Sequence, residues 1–172
     1  MEEKRSRYIL VGCGISGKDI LERVKEILTK EVVSVVVNSQ NLDMAQLELM
    51  IKSTDMIFLC CGVSEQDEII AAGVISELCR RDNVPVIGIA LMPTSGAYTD
   101  CFPGNIAALR GYIPNLVVLD HSNIVQKYPG IEEEHAVDIT HQLIGKLITE
   151  TADLIDTISL FKLEDVWSYR GR

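Results

Sequence analysis

A glycine-rich turn between an apolar run and an amphipathic segment is the feature that most constrains this chain. The run 8–11 leads directly into Gly12-Cys13-Gly14-Ile15-Ser16-Gly17. Apolar residues then recur at helical spacing, at positions 20, 24, 27 and 28. This order predicts a strand, a tight turn and a helix. Such a turn brings backbone N–H groups and the positive end of a helix dipole close to any bound phosphate.

Short apolar runs alternate with longer segments of helical periodicity along the rest of the chain. The runs rich in β-branched residues predict strands buried on both faces at 8–11, 32–37, 56–61, 84–90 and 116–119. Helices are predicted at 17–29, 42–52, 64–81, 105–112 and 131–155. The alternation indicates a three-layer, Rossmann-like α/β fold with a doubly wound, mainly parallel sheet. A length of 172 residues and a 47% hydrophobic content predict a single domain over 1–172.

The charge balance argues against nucleic acid and membrane partners. The chain has 16 basic and 25 acidic residues, a formal net charge of -9, and no basic block. No apolar stretch reaches the roughly 18 residues that a spanning helix needs, and the first residues do not resemble a signal peptide. We therefore expect a cytoplasmic protein. The five cysteines lack CxxC spacing, which predicts mostly buried, reduced thiols and no metal site.

Polar residues and glycines follow several predicted strands, where an open parallel sheet binds its ligands. These segments are 12–17, 38–39, 62–68, 92–100 and 120–123. A dinucleotide enzyme would place an acid after the second strand, but this chain has Asn38-Ser39-Gln40 there, which disfavours NAD. Two interpretations of the glycine turn stay open: a phosphate site, or a tight turn that only packs the helix on the sheet.

Several landmarks resemble, in their order and spacing, those of the GTPase domain of the FtsZ/tubulin superfamily. They are residues 8–17, Asn38-Ser39, 54–62, 71–75, 115–119 and 158–166, the last similar to the loop after that family's long central helix. The resemblance covers nearly the whole chain and stops where the family would begin its C-terminal domain. It implies binding of GTP or GDP at the strand ends, head-to-tail assembly, and hydrolysis by acids of the neighbouring subunit.

The resemblance also implies a set of candidate nucleotide-binding residues. They are Gly12, Cys13, Gly14, Gly17, Arg23, Asn38 and Gly62. Other positions depart from the family's pattern. The two base-contacting asparagines align with Asp19 and His121, and the paired catalytic acids align with Lys162 and Asp165, so only one acid is kept. A lysine cannot polarise water as a carboxylate does, and we therefore predict no catalytic residues and lean against GTP hydrolysis.

The family's glycine- and threonine-rich phosphate loop aligns with residues 64–70, where the chain is acidic and has no glycine. Ser64 and Asp67 predict a capping-box-like helix start, and Glu65, Asp67 and Glu68 predict a solvated acidic cap. A phosphate about 4 Å from one such carboxylate is repelled by about 1 kcal/mol in water and about 4 kcal/mol at an effective dielectric near 20. Only a bridging divalent cation would reverse this sign.

The histidines suggest a possible secondary site at His121 and Asp138. His121 follows a predicted strand beside Asp120, which could orient an imidazole, and a pairing of His121 with Cys101 is conceivable. Asp138 and His141 are three residues apart on the last helix, which predicts a surface hydrogen bond between them.

Two functions remain open from the sequence. The first is a binding, assembly or regulatory module of FtsZ/tubulin type, acting in cell division or the cytoskeleton through self-association or an FtsZ- or tubulin-like partner. The alternative is a Rossmann-like protein or enzyme that binds a nucleotide or phosphometabolite at the 12–17 turn.

Overall fold

The computed structural model describes residues 8–29, 32–93 and 101–161 of the chain. Five strands and six helices follow one another along these residues, and they alternate up to the two consecutive helices at the end. In chain order they are β1 (Tyr8–Cys13), α1 (Gly14–Lys25), β2 (Val33–Val37), α2 (Met44–Lys52), β3 (Met56–Gly62), α3 (Gln66–Arg81), β4 (Val86–Leu91), α4 (Phe102–Tyr112), β5 (Leu116–Leu119), α5 (Ser122–Lys127) and α6 (Glu133–Phe161).

The strands form one parallel sheet in the order β2-β1-β3-β4-β5. The chain winds from β1 to β2 on one side and then crosses back to β3 on the other side of β1. Gly12 of β1 pairs with Cys60 of β3, so these two strands end side by side. Ligands of such sheets bind beyond the carboxyl ends of the strands where the winding direction reverses. The winding direction therefore reverses between β1 and β3, and the expected ligand site lies at the turns that follow these two strands.

Helices cover both faces of the sheet, which confirms the predicted three-layer α/β fold. On one face, α1 and α6 pack against side chains such as Leu10, Phe58 and Ile89, all of them buried. On the other face, α2, α3 and α4 pack against a second cluster that includes Val11 and Leu59. Neighbouring residues of a strand point to opposite faces, so the apolar run of β1 supplies both clusters. Burial of each large side chain stabilises the fold by roughly 1.5–3 kcal/mol.

The predicted elements all occur with shifted ends, but both edge strands of the described sheet are less buried than predicted. All four residues of β5 are only partly buried. The prediction that β2 is buried on both faces is wrong, because Val33 and Val36 are 63% and 48% exposed. The reason is position: among the described residues β2 pairs only with β1 and forms an edge of the sheet. The six-residue helix α5 was not predicted, since it is too short to show periodicity.

The last helix is longer than its apolar pattern predicts. It was expected to end at residue 155, but α6 continues to Phe161 and spans 29 residues, or about 44 Å. Residues 158–161 therefore belong to a helix, which corrects the loop expected over 158–166; Lys162 and Asp165 lie outside the described residues. So does most of the 92–100 loop. None of the described helices combines the length and the apolar character needed to cross a membrane.

Candidate functional site

A cleft of about 730 Å³ opens at the carboxyl ends of β1, β3 and β4, beside α6. Its walls come from the glycine turn, the segment after β3, the end of β4 and the first turns of α6. The residues that line it include Ser16, Arg23, Gly62, Met92, His121, Val137 and His141. The winding reversal of the sheet thus places the predicted site segments 12–17, 62–68 and 120–123 around one space.

Two glycines of the turn lie in close contact with neighbouring backbone. A Cβ atom on Gly12 would lie 2.7 Å from the carbonyl oxygen of Gly17, and one on Gly17 would lie 2.5 Å from that of Cys60. Both distances are shorter than real Cβ contacts, so α1 can approach the sheet this closely only with glycine at these positions. The packing role of the glycine turn therefore holds whether or not a ligand binds.

The carboxylate of Glu68 lies in the glycine turn, accepting backbone hydrogen bonds from two elements. The N–H of Gly62, at the end of β3, donates to Oε2 over 2.6 Å, and the N–H of Ser16, in the first turn of α1, donates to Oε1 over 2.9 Å. Glu68 is only 2% exposed. The prediction of a solvated acidic cap is therefore wrong for Glu68, although Glu65 and Asp67 are exposed as predicted.

The start of α3 explains why Glu68 turns inward. The helix begins at Gln66 with Glu65 as its N-cap, and no side chain caps it, so the predicted capping box of Ser64 and Asp67 is wrong. Glu68 is the third helical residue, where a glutamate often bonds back to its own N-cap. Here it reaches across to α1, whose N-cap Cys13 also provides no side-chain cap. The carboxylate therefore supplies α1 with the cap that its own N-cap residue lacks.

Sequence periodicity contains a signal for this burial. Glu68 precedes Ala72, Ile75 and Cys79 at helical spacing, and all three are buried. Helical spacing alone would have assigned Glu68 to the inner side of α3 and the exposed Asp67 to the outer side. The prediction from charge alone instead treats Glu65, Asp67 and Glu68 as one solvated cluster.

Two buried thiols lie close enough to Glu68 for its negative charge to contribute to their raised pKa values. Burial raises the pKa of Cys61 to about 12, with the negative charge of Glu68 adding to the effect. Burial also raises the pKa of Cys13, where Cys61, Cys60 and Glu68 contribute. Four of the five cysteines are buried and Cys101 is exposed, which confirms the prediction of mostly buried thiols. Cys13 is thus a core residue, and any ligand contact from it would use its backbone.

Arg23 lies on the rim of the cleft between two carboxylates. Its Nε is 3.5 Å from Asp19 Oδ2, and its Nη1 is 3.9 Å from Asp138 Oδ1. All three side chains are about half exposed, so water screens these ion pairs. Asp138 therefore pairs with Arg23, and the surface hydrogen bond predicted between Asp138 and His141 is wrong.

Asn38 has a local role in the loop after β2. Its Oδ1 accepts hydrogen bonds from the backbone N–H groups of Gln40 and Asn41, at 3.0 and 2.9 Å. This is an Asx turn, which an asparagine forms without any ligand. The structure places Asn38 after the edge strand. Gly14 and Gly62 lie against Glu68, whereas Gly12 and Gly17 pack against each other.

Two buried histidines contribute to the cleft wall. His121 and His141 are 2% and 3% exposed. The Nδ1 of His141 lies 2.8 Å from the carbonyl oxygen of Val137 and donates to it, so His141 points inward along α6. Cys101 is exposed while His121 is buried, so their conceived pairing gains no support. Within the described ranges, no three His, Cys, Asp or Glu side chains form a group that could hold a metal ion.

The parallel sheet, the turns at its winding reversal and the long α6 give this chain the fold of the FtsZ/tubulin N-terminal domain. Solved structures with this fold include FtsZ of Methanocaldococcus jannaschii, with a TM-score of 0.69 and 13% identity over 90% of this chain and 57% of that one. CetZ from Methanosaeta thermophila gives a TM-score of 0.57 and 14% identity over 92% of this chain and 56% of that chain.

Curated sequences show the same likeness. Cell division protein FtsZ 2 of Methanocaldococcus jannaschii is 18% identical over 92% of this chain, and cell division protein FtsZ of Methanothermobacter thermautotrophicus is 19% identical over 95%. The chain spans about half the length of these relatives, 52% and 53% respectively. No family model matches the chain. At this identity the likeness establishes the fold and leaves the function to be argued from the site.

Proposed function

We propose that this chain is an FtsZ/tubulin-like binding, assembly or regulatory module that does not hydrolyse GTP. The observation that carries the proposal is the buried Glu68 carboxylate, which accepts the backbone hydrogen bonds of Gly62 and Ser16. These N–H groups belong to the two turns that a phosphate would have to approach in this fold.

A phosphate at the glycine turn would have to displace Glu68 or lie beside it. At about 4 Å and an effective dielectric near 20, each unit of like charge costs about 4 kcal/mol. Glu65 and Asp67 add further negative charge at the start of α3, where both are exposed. These residues therefore do not favour GTP turnover without an additional cation. The candidate nucleotide-binding residues, from Gly12 to Gly62, remain a proposal.

The proposed partner is a complete FtsZ- or tubulin-like protein or a second copy of this chain, in the cytoplasm. The matched relatives are cell division proteins by name, and one of the solved FtsZ structures is a dimer. These facts support a role in cell division or the cytoskeleton. The formal net charge of -9 supports a protein partner over nucleic acid.

Two assays test the proposal on the purified chain. Phosphate release from GTP with Mg²⁺ is expected to stay at the level of a blank without protein. Light scattering of an FtsZ from the same organism is expected to change in extent when this chain is added, and not when an unrelated acidic protein of similar size is added. GTP turnover would overturn the proposal, and so would an unchanged scattering trace at equimolar chain together with a monomeric mass of the chain alone in solution.

The cleft supports a second candidate function, the binding of a nucleotide or phosphometabolite. Its volume of about 730 Å³ falls in the range of small-molecule sites. His141 lines the cleft, and its Nε2 is buried without a hydrogen-bond partner within the described ranges.

A thermal-shift panel separates the two candidates. It contains GTP, GDP, ATP, NAD and FAD, each with and without Mg²⁺, together with guanosine and adenosine. A saturable shift with any of these ligands supports the second candidate, and its absence with all of them removes it. Equal shifts with a nucleoside and its nucleotide would show that the phosphates add no binding, as the position of Glu68 predicts.

A further inference from the structure

The two carboxylate oxygens of Glu68 accept hydrogen bonds in the same way as the oxygens of a bound oxyanion would. Each accepts one backbone N–H, and the two donors come from separate segments, the end of β3 and the start of α1. Gly62 is buried, so its N–H would be costly to leave without a partner. Both donors identified within the described ranges are main-chain groups, which bind a carboxylate or a phosphate without regard to side-chain identity.

The surroundings of the carboxylate match an anion site. α1 has twelve residues and no side-chain cap of its own, so the positive end of its dipole points at Glu68. A Cβ on Gly14 would come within 2.5 Å of Glu68 Cγ, and one on Gly62 within 2.9 Å of Oε2. Glycines at 14 and 62 leave the space that the carboxylate fills. An ordinary acid in the first turn of a helix would be solvated, as the neighbouring Asp67 is.

We propose that Glu68 is a tethered anion that holds an oxyanion site closed, and that inorganic phosphate can occupy this site once the side chain is removed. This deepens the proposed function, because it identifies what keeps phosphate out of the glycine turn. Ser16 and Gly62 also line the cleft, so the vacated site would be reached from solvent through it. The carboxylate joins β3 to α1, and phosphate would restore that connection when Glu68 is absent.

The test compares Glu68→Ala with Asp67→Ala, which removes the same charge one residue away at an exposed position. Melting temperatures are measured in sodium phosphate and in sodium chloride of equal ionic strength. Phosphate stabilises folded proteins weakly without binding, and the Asp67→Ala and wild-type curves measure that background. We expect a saturable rise in the melting temperature of Glu68→Ala alone. Equal phosphate responses in the three proteins would overturn the proposal.

Amide NMR locates the effect. In Glu68→Ala, phosphate should shift the resonances of Ser16 and Gly62 with the same midpoint as the thermal rise, and in the wild type these resonances should not move. A wild-type response at both amides with the midpoint seen for Glu68→Ala would contradict closure by Glu68. If Glu68→Ala does not fold in chloride, recovery of its folded spectrum in phosphate supports the proposal, and failure to recover in phosphate overturns it.

These outcomes are separate from those of the proposed function. Wild-type GTP turnover, or a lack of both an effect on FtsZ assembly and self-association, would refute the functional proposal without any change in the phosphate response of Glu68→Ala. A lack of phosphate response in Glu68→Ala would refute the closed oxyanion site while the assembly experiment stood unchanged.

Discussion

The side chain of Glu68 fills the space that a side chain on Gly14 would need at the start of α1. A Cβ atom on Gly14 would lie 2.5 Å from Cγ and 2.8 Å from Oε1 of Glu68. Gly14 also has a φ of +67°, which favours glycine over residues with a side chain. Position 14 is therefore restricted twice, once by its backbone and once by the carboxylate beside it.

The change Gly14→Ala separates these two restrictions when it is compared with Gly130→Ala. Gly130 has a φ of +92° but nothing within 4 Å of its Cβ position. We expect Gly130→Ala to lower the free energy of unfolding by roughly 1–2 kcal/mol through backbone strain alone. Gly14→Ala should cost at least about 1 kcal/mol more, measured by urea denaturation. In a double-mutant cycle with Glu68→Ala the excess should disappear, and strict additivity would contradict the clash.

Tyr8 joins the start of β1 to the last turns of α6. Its hydroxyl lies 2.6 Å from Asp156 Oδ1 and 3.0 Å from the carbonyl oxygen of Ala152, and the residue is buried. Tyr8→Phe should lower the free energy of unfolding by about 1–2 kcal/mol, because a hydrogen bond to a charged acceptor is lost. Amide exchange at the end of α6 should also accelerate. The control Tyr128→Phe, at a half-exposed tyrosine, should change neither quantity.

Arg23 should contribute little to stability despite its two carboxylate neighbours. Its side chain is 47% exposed and its shortest ion-pair distance is 3.5 Å, so screening and side-chain entropy offset the attraction. Arg23→Ala should change the free energy of unfolding by less than about 0.5 kcal/mol in chemical denaturation. A loss above about 1 kcal/mol would mean that Asp138 and Arg23 form a structural link between α6 and α1.

Thiol accessibility should differ sharply among the five cysteines. Cys101 is exposed, whereas Cys13, Cys60, Cys61 and Cys79 are buried. Iodoacetamide should therefore modify Cys101 alone in the folded protein and all five residues in urea, as read by peptide mass spectrometry. Modification of Cys61 under native conditions at the rate of Cys101 would show that the β3 end opens to solvent.

Alkaline pH should destabilise the protein through its buried thiols. Burial raises the pKa of Cys79 in the folded state from 9.0 to about 12, with Asp82 contributing. Between these values the unfolded chain loses the proton and the folded protein keeps it, so the free energy of unfolding falls as pH rises above about 9. The titration of Cys79 lowers the free energy of unfolding by up to about 1.4 kcal/mol per pH unit. Cys79→Ala should reduce this slope in denaturation curves from pH 9 to 11, and Cys101→Ala should leave it unchanged.

The sequence predicted the architecture because local patterns determine it. The apolar run of β1 and the glycine turn gave the first strand and helix, and the alternation of elements gave the three layers. Features that depend on tertiary neighbours were missed. Nothing local marks β2 as an edge strand, and Glu68 looks like its neighbour Asp67 until the end of β3 and the start of α1 are brought together. The burial of His141 likewise depends on how α6 lies against the sheet.

A carboxylate attached to the chain is present at a fixed local concentration, on the order of millimolar or higher even for flexible tethers. Glu68 is held by a helix, so a nucleotide would have to compete with a group that is always present at the glycine turn. A site that binds a diffusing ligand changes its occupancy with the concentration of that ligand. Such a site can therefore carry a signal. If Glu68 closes the site as proposed, the same turn in this chain has one constant occupant, and a signal would enter through another surface.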